Sequence, residues 1–146
     1  MSSQLWLLAP IVVGLSNPVL WQMNVRVSDR SGEMEAAVVL HVVGAVAGAV
    51  IVALGLKGTG GWSGVASAPP WAFFAGVIGV CGMAGMIKAI PAVGIAAVLG
   101  LSVAAQMIAA LVFESQGWLG TELRAVDWTR IVGAMLLAIG AWLVTR

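Results

Sequence analysis

Polar side chains interrupt the first apolar stretch of the chain and recur at a helical spacing. Asn17, Trp21 and Asn24 are separated by four and then three residues, which places them on one face of an α-helix. Gln22 lies on an adjacent face. One interpretation is a cavity that binds a polar or cationic solute, with cation–π contact to the Trp21 ring. The alternative is that Trp21 belongs to an interfacial aromatic belt while the amides cross-link neighbouring helices.

A second polar pair, Ser102 and Gln106, lies four residues apart in a later apolar stretch. An amide surrounded by hydrocarbon needs a hydrogen-bond partner, because an unsatisfied polar group is costly there. Gln106 therefore either lines a wet cavity or bonds across a helix interface, and its few deep polar neighbours favour the cavity slightly. The predicted solute-binding residues are Asn17, Trp21, Gln22, Asn24, Ser102 and Gln106.

His41 is the single histidine of the chain and lies inside the second apolar stretch. Histidine changes its charge near neutral pH, so one inside a membrane is a candidate proton relay or solute ligand. A neutral imidazole that bonds to a neighbouring helix is the simpler interpretation. If proton movement is involved, His41 is the candidate for the coupling site.

The remaining reactive residues exclude several classes of protein. Every acidic residue lies at the end of an apolar stretch or in a connector, so no carboxylate is placed deep in a membrane. One histidine and one cysteine, Cys81, cannot supply a catalytic triad or a metal cluster. The sequence predicts no catalytic residue, no metal and no cofactor. A net charge of +1 argues against nucleic acid as a partner.

Five apolar stretches must position these residues, at 4–22, 34–56, 71–88, 92–113 and 128–145. Each has about the 20 residues needed to cross ~30 Å of hydrocarbon as a helix. The chain is 61% hydrophobic and 9% charged, whereas a soluble domain carries about 25% charged residues. The sequence predicts an all-α integral membrane protein, with residues 1–146 forming a single transmembrane domain of five helices.

The connectors carry turn and capping residues. Ser31 is expected to cap the second helix, because serine is a good N-cap and two glutamates follow at the positive end of that helix. The segment 57–70 is rich in Gly, Ser and Pro, which predicts a loop. The link 88–91 is so short that the third and fourth helices are expected to form a tight hairpin.

The positive charges are split almost evenly between the two sides of the membrane, although an excess of Lys and Arg normally marks the cytoplasmic side. One side carries Lys57, Arg124 and Arg130, and the other carries Arg26, Arg30, Lys88 and Arg146. So weak a bias allows insertion in both orientations, and such a chain can pair with an inverted copy of itself, as in transporters built from inverted repeats. Gly44 and Gly48 form a GxxxG pair, which predicts close helix packing.

Short segments spread over nearly the whole chain carry a resemblance. They are 18–24 (PVLWQMN), 36–44, 88–96 (KAIPAVGIA), 105–111 (AQMIAAL), 116–120 (QGWLG) and 130–133 (RIVG), with Gly140 after the last. Together they resemble the small five-span YdcZ-type branch of the drug/metabolite transporter (DMT) superfamily. Two features depart from that pattern. The Gln-x-x-Asn-like stretch of the family is shortened to Gln22–Met23–Asn24, and His41 stands where an apolar residue is expected.

The resemblance implies a multi-pass protein of the inner cell membrane that exports small solutes. It also implies kinship with ten-span relatives built from two inverted five-span halves, so that two antiparallel copies of this chain would give a ten-helix bundle. It carries over Gln22, Asn24 and Gln106 as polar positions of the core and names no substrate. The four-span multidrug branch uses a glutamate in its first helix, which this chain lacks, so that coupling mechanism is not implied.

The leading hypothesis is a secondary transporter, an exporter of a neutral or cationic small molecule, working by alternating access as an antiparallel homodimer in the lipid bilayer. The alternative is a non-transporting membrane subunit that assembles with or stabilises another membrane protein. A third arrangement pairs the chain with a paralogous five-span partner, for which a clear charge bias is expected.

Overall fold

The computed structural model describes residues 8–56 and 58–146. In these ranges the α-helices are α1 (Leu8–Ser31), α2 (Glu33–Ala53), α3 (Gly61–Ala66), α4 (Phe74–Val93), α5 (Ile95–Gln116) and α6 (Trp128–Val144). Two short 3₁₀ turns, Pro70–Phe73 and Trp118–Gly120, complete the elements. No strand occurs in the described ranges, so the predicted all-α class is confirmed. The start of the first predicted stretch, 4–7, and Lys57 lie outside the described residues.

Three helical segments of the described residues are long and apolar enough to cross a membrane: Glu33–Ala53, Pro70–Val93 and Ile95–Gln116. The apolar helix α6 is shorter, at 17 residues. Helix α1 has 24 residues but contains the polar positions described above. The chain is therefore a multi-pass helical protein, while the full number of five spans stays a prediction.

Helix α1 continues past Gln22 and through the segment expected to be a connector, ending at Ser31. The exposed charges there are compatible with a helix, and Arg26 and Asp29 pair at 3.7 Å across one turn. The break comes at Gly32, whose φ of 100° is open to glycine and strained for other residues. The predicted Ser31 cap is wrong. Its Oγ donates to the carbonyl of Val27 at 3.0 Å, and Gly32 is the N-cap of α2 without a side-chain cap.

Helix α4 likewise runs beyond its predicted end at Lys88, through Pro91, to Val93. The chain breaks at the single residue Gly94, with φ of 86°, and α5 begins at Ile95. The predicted link 88–91 is therefore helical. Pro91 has no N–H to donate to the carbonyl four residues earlier, and the helix ends two residues after it. The predicted loop 57–70 also needs correction, since Gly61–Ala66 forms the short helix α3.

The chain divides into two compact units, one ending at Lys88 and the other beginning at Ala89. In the first unit α1 packs against α2. The buried residues of these two helices are Trp21, Asn24, Val25, Ala36 and Ala37. Ala36 and Ala37 retain at most 1% of their exposure, because small side chains let the two helices approach closely.

In the second unit α5 packs against α6, again through small residues. Ala97, Ala104, Ala134 and Ala141 are buried there. A Cβ atom placed on Gly100 would lie 3.5 Å from the Cα atom of Ala141, so the two backbones are in close contact at this point. Most large apolar side chains of the described residues point outward; Leu15, for example, is 75% exposed. An outward apolar surface of this extent is what a lipid environment requires.

Candidate solute-binding site

The polar face of α1 forms as its spacing predicts. Trp21 and Asn24 are buried, and Asn17 is half-buried on the same face. Gln22 is exposed and lines a shallow surface groove with Pro18 and Arg26. The structure therefore brings three of the four predicted α1 residues to one side of the helix and turns Gln22 away from them.

The amide of Asn24 is the unusual group of this face. The residue is only 4% exposed, and its Nδ2 atom is buried with no hydrogen-bond partner among the described residues. A buried donor without an acceptor costs about 1–3 kcal/mol, so most proteins satisfy such groups. Asn24 is thus a buried hydrogen-bond donor without a partner among the described residues, on the buried face of α1.

His41 lies on α2, in the same unit, and its imidazole is oriented by its own helix. The Nδ1 atom lies 2.7 Å from the carbonyl oxygen of Ala37, one turn earlier. A carbonyl only accepts, so Nδ1 carries the proton and donates it. In the neutral ring this leaves Nε2 without a proton, as an acceptor. Nε2 faces α4, where a Cβ on Gly79 would lie 3.4 Å away.

Ser102 and Gln106 belong to the other unit, on α5. Gln106 is exposed, and its Nε2 donates to the Ser102 hydroxyl at 2.7 Å. The predicted need of this amide for a partner is met one turn away on the same helix. Gly44 and Gly48 on α2 meet no atom within 4 Å of a Cβ position, so their packing role stays a prediction.

Sequence reasoning did not single out Gly79, nor an ion pair between α5 and α6. Arg130 donates to the Glu114 carboxylate, and both side chains are about 30% exposed. This ion pair could have been predicted, because Glu114 lies near the end of one predicted helix and Arg130 near the start of the next, on the same predicted side of the membrane. Gly79 is one of four α4 glycines spaced by three residues, and the spacing alone does not say which of them faces His41.

Asp127 caps α6 in the connector that precedes it. Its Oδ1 accepts from the Thr129 hydroxyl at 2.7 Å and from the Arg130 backbone N–H at 2.8 Å. These bonds, the first above all, stabilise the carboxylate form and lower the pKa of Asp127 below its ordinary value of 3.8, with a smaller contribution from the charge of Arg130. The cap fixes where α6 begins.

The chain matches the model of a protein family over residues 5–143, and that family is described as "Putative inner membrane exporter, YdcZ". The chain belongs to this YdcZ family. It is 29% identical over 147 aligned positions to the inner membrane protein YdcZ of Escherichia coli strain K12, covering 100% of this chain and 98% of that protein. No solved structure matches it. The resemblance found in the sequence is confirmed at the level of the family.

Membership of the YdcZ family, together with the apolar helices, identifies a multi-pass protein of the inner membrane. The family description suggests a transporter, and an exporter is not a class of enzyme. Among the described residues no three His, Cys, Asp or Glu side chains cluster in a way that could hold a metal ion. The candidate site of this YdcZ-family chain consists of neutral hydrogen-bonding groups and the Trp21 ring.

Proposed function

We propose that the chain is a secondary transporter that exports small neutral or cationic solutes as an antiparallel homodimer of five-span subunits. The observation that carries the proposal is the buried Nδ2 of Asn24, which has no acceptor among the described residues. A family described as exporters supports the general class. A donor that the protein leaves unsatisfied can be satisfied by a solute, and the solute then gains binding free energy from it.

Trp21 lies one turn from Asn24 and supports the choice of solute. An indole ring attracts cations through its face, and the neighbouring amides carry no charge that would favour an anion. Asn17 extends the same face of α1 toward the start of the helix. In the proposed dimer, Ser102 and Gln106 would complete the lining together with Gln22, and His41 would serve any proton coupling.

The dimer is supported by surfaces that the single chain leaves open. Gly44 and Gly48 of α2 meet no neighbour within 4 Å of their Cβ positions, and glycines spaced by four are a frequent contact between membrane helices. The nearly even division of Lys and Arg between the two sides permits an inverted partner. An inverted pair places equivalent helices on both sides of a central site, which is the arrangement for alternating access.

The transport experiment uses purified chain in liposomes, with electrical recording against a panel of neutral and cationic solutes. Asn24→Ala should abolish flux of whichever solute the wild-type chain carries. Met23→Ala is the matched control, because Met23 is the preceding residue on α1 and is 65% exposed. Equal flux in the wild-type chain and in Asn24→Ala would refute a solute site at Asn24.

Orientation is tested separately with Cys81→Ala as background and new cysteines at Ser3 or Arg146. Labelling of each new cysteine from both sides of intact membranes is expected for an antiparallel pair. Labelling of each from one side only would refute the homodimer in this form, and a paralogous partner would then take its place.

The second candidate function is a non-transporting subunit, favoured by the same open Gly44–Gly48 face of α2. In that case the glycines contact another membrane protein, and the polar residues serve packing. Asn24→Ala would then leave assembly unchanged, whereas Gly44→Leu would abolish it. Solute flux through the purified chain alone would exclude this candidate.

A further inference from the structure

The imidazole of His41 presents one nitrogen to its own helix and the other to α4. Nδ1–H is engaged with the Ala37 carbonyl at 2.7 Å. Nε2 has no hydrogen-bond partner among the described residues, and it carries a free lone pair in the neutral ring. The residue is half-buried, and Nε2 is not among the fully buried unsatisfied atoms of the described residues, so the acceptor keeps some exposure.

Gly79 of α4 lies beside that nitrogen. A Cβ at this position would lie 3.4 Å from Nε2, which is ordinary van der Waals contact. An alanine would therefore fit without a clash, but its methyl group would occupy the space directly beside the lone pair. At Gly76 and Gly82, in the turns on either side, a Cβ would meet nothing within 4 Å. Gly79 alone of these three glycines borders His41.

The charged groups nearest in the fold do not engage this nitrogen. The charged side chains of α1, α2 and α4 are Arg26, Asp29, Arg30, Glu33, Glu35 and Lys88. None of them bonds to His41, and the pairing among them joins Arg26 to Asp29. Among the described residues Nε2 therefore has no charged hydrogen-bond partner, and Gly79 places no side chain beside it.

We propose that Nε2 of His41 is the acceptor for a hydrogen-bond-donating ligand at the seam between α2 and α4, and that Gly79 keeps the approach to it open. The ligand chemistry is an N–H or O–H group, which belongs either to the transported solute or to a water molecule that delivers a coupling proton to Nε2. This inference rests on the proposed transport function for its biological use. The geometry of the nitrogen and its glycine is tested without any transport measurement.

The first measurement is nitrogen NMR of the chain in detergent micelles, with histidine labelled by ¹⁵N. The sequence has one histidine, so the two ring signals belong to His41 without ambiguity. At a pH where the ring is neutral, the proton is expected on Nδ1, with Nε2 bare. A spectrum with the proton on Nε2 would overturn the proposal, because that nitrogen would then be a donor.

The second measurement is the rate at which diethylpyrocarbonate modifies His41, since an unprotonated imidazole nitrogen attacks a carbonyl carbon of this small reagent. The wild-type chain should react at Nε2, and Gly79→Ala should react several-fold more slowly. Gly76→Ala and Gly82→Ala are the controls, because they add the same methyl group to the same helix away from the imidazole. If all three variants react at the wild-type rate, Gly79 does not control the approach and the proposal fails.

The third measurement separates the two sources of the ligand. His41→Ala should weaken solute uptake by roughly tenfold in apparent affinity, the effect of losing one hydrogen bond. His41→Gln keeps an acceptor and cannot carry a proton. Retained uptake in His41→Gln identifies the solute as the donor, whereas loss of pH-driven uptake alone identifies the proton.

If neither variant changes uptake in a chain that transports, the proposal is refuted. A chain that transports nothing refutes the proposed function and leaves the first two measurements to decide on the nitrogen.

Discussion

Asn24→Ala should stabilise the folded chain and at the same time abolish solute transport. The Nδ2 atom of Asn24 is buried without an acceptor among the described residues, and an unsatisfied donor costs about 1–3 kcal/mol. Removing the amide recovers this cost. Alanine also has a higher helix propensity than asparagine, by about 0.6 kcal/mol. The small cavity left by the shorter side chain reduces this gain in stability by about 0.5 kcal/mol. The free energy of unfolding should therefore rise by about 1–3 kcal/mol.

The assay is reversible unfolding by SDS in mixed micelles, followed by tryptophan fluorescence. Trp21 lies one turn from Asn24 on the same buried face and reports on this part of the fold. Gln22→Ala is the matched control, because it removes an exposed amide from the same helix. Its free energy of unfolding should change by less than about 0.5 kcal/mol.

Bound solute should make the wild-type chain more stable than Asn24→Ala. A transported solute that accepts from Asn24 binds the folded wild-type chain and raises its unfolding midpoint, whereas Asn24→Ala gains little. An unsatisfied donor at Asn24 is refuted if Asn24→Ala unfolds more easily than the wild-type chain by about 1 kcal/mol or more. Such a loss would mean that the amide already has a partner in the folded protein, and the buried donor would then be structural.

Two further predictions concern the second unit. A double-mutant cycle on Glu114 and Arg130 should give a coupling energy of about 1–2 kcal/mol, because both side chains are largely buried. The exposed pair Glu122–Arg124 should give less than about 0.5 kcal/mol. Equal coupling energies for the two pairs would contradict this ranking. The pKa of Asp127 is lower in the folded chain than in the unfolded chain, so its stabilising effect is present above about pH 4 and is lost as the pH falls further. Asp127→Asn should make the melting temperature less dependent on pH below 4, and an unchanged pH profile would argue against the cap.

The helices could be predicted from composition, but their ends could not. Apolar stretches locate α2, α5 and α6 well, because hydrocarbon selects the residues that cross it. The first apolar stretch is predicted to end at Gln22, ahead of the charges that begin at Arg26, yet the helix continues to Ser31. Charged side chains at a membrane surface reach water without disturbing the backbone bonds of a helix. What ends α1 and α4 is a glycine with positive φ, at Gly32 and Gly94, and hydropathy carries no information about that.

Part of the candidate site could be predicted from the spacing of residues along one helix, and the rest depends on how the helices pack. The shared face of Asn17, Trp21 and Asn24 follows from helical periodicity and is present in the fold. The bond from Gln106 to Ser102 also follows from their spacing of four. The contact between His41 and Gly79 joins two helices, so only the packing of the chain reveals it. The unsatisfied state of Asn24 is likewise a property of the packed helices.

The two unsatisfied groups of the first unit are opposite in kind. Nδ2 of Asn24 is a donor without an acceptor, and Nε2 of His41 is an acceptor without a donor. These two groups do not bond to each other, so each lacks a hydrogen-bond partner among the described residues. A solute that reaches both groups would carry an acceptor and an N–H or O–H group in one molecule. We therefore expect protonated amines and amides that also carry an oxygen acceptor to bind more tightly than quaternary ammonium ions of equal size, which offer no donor to His41.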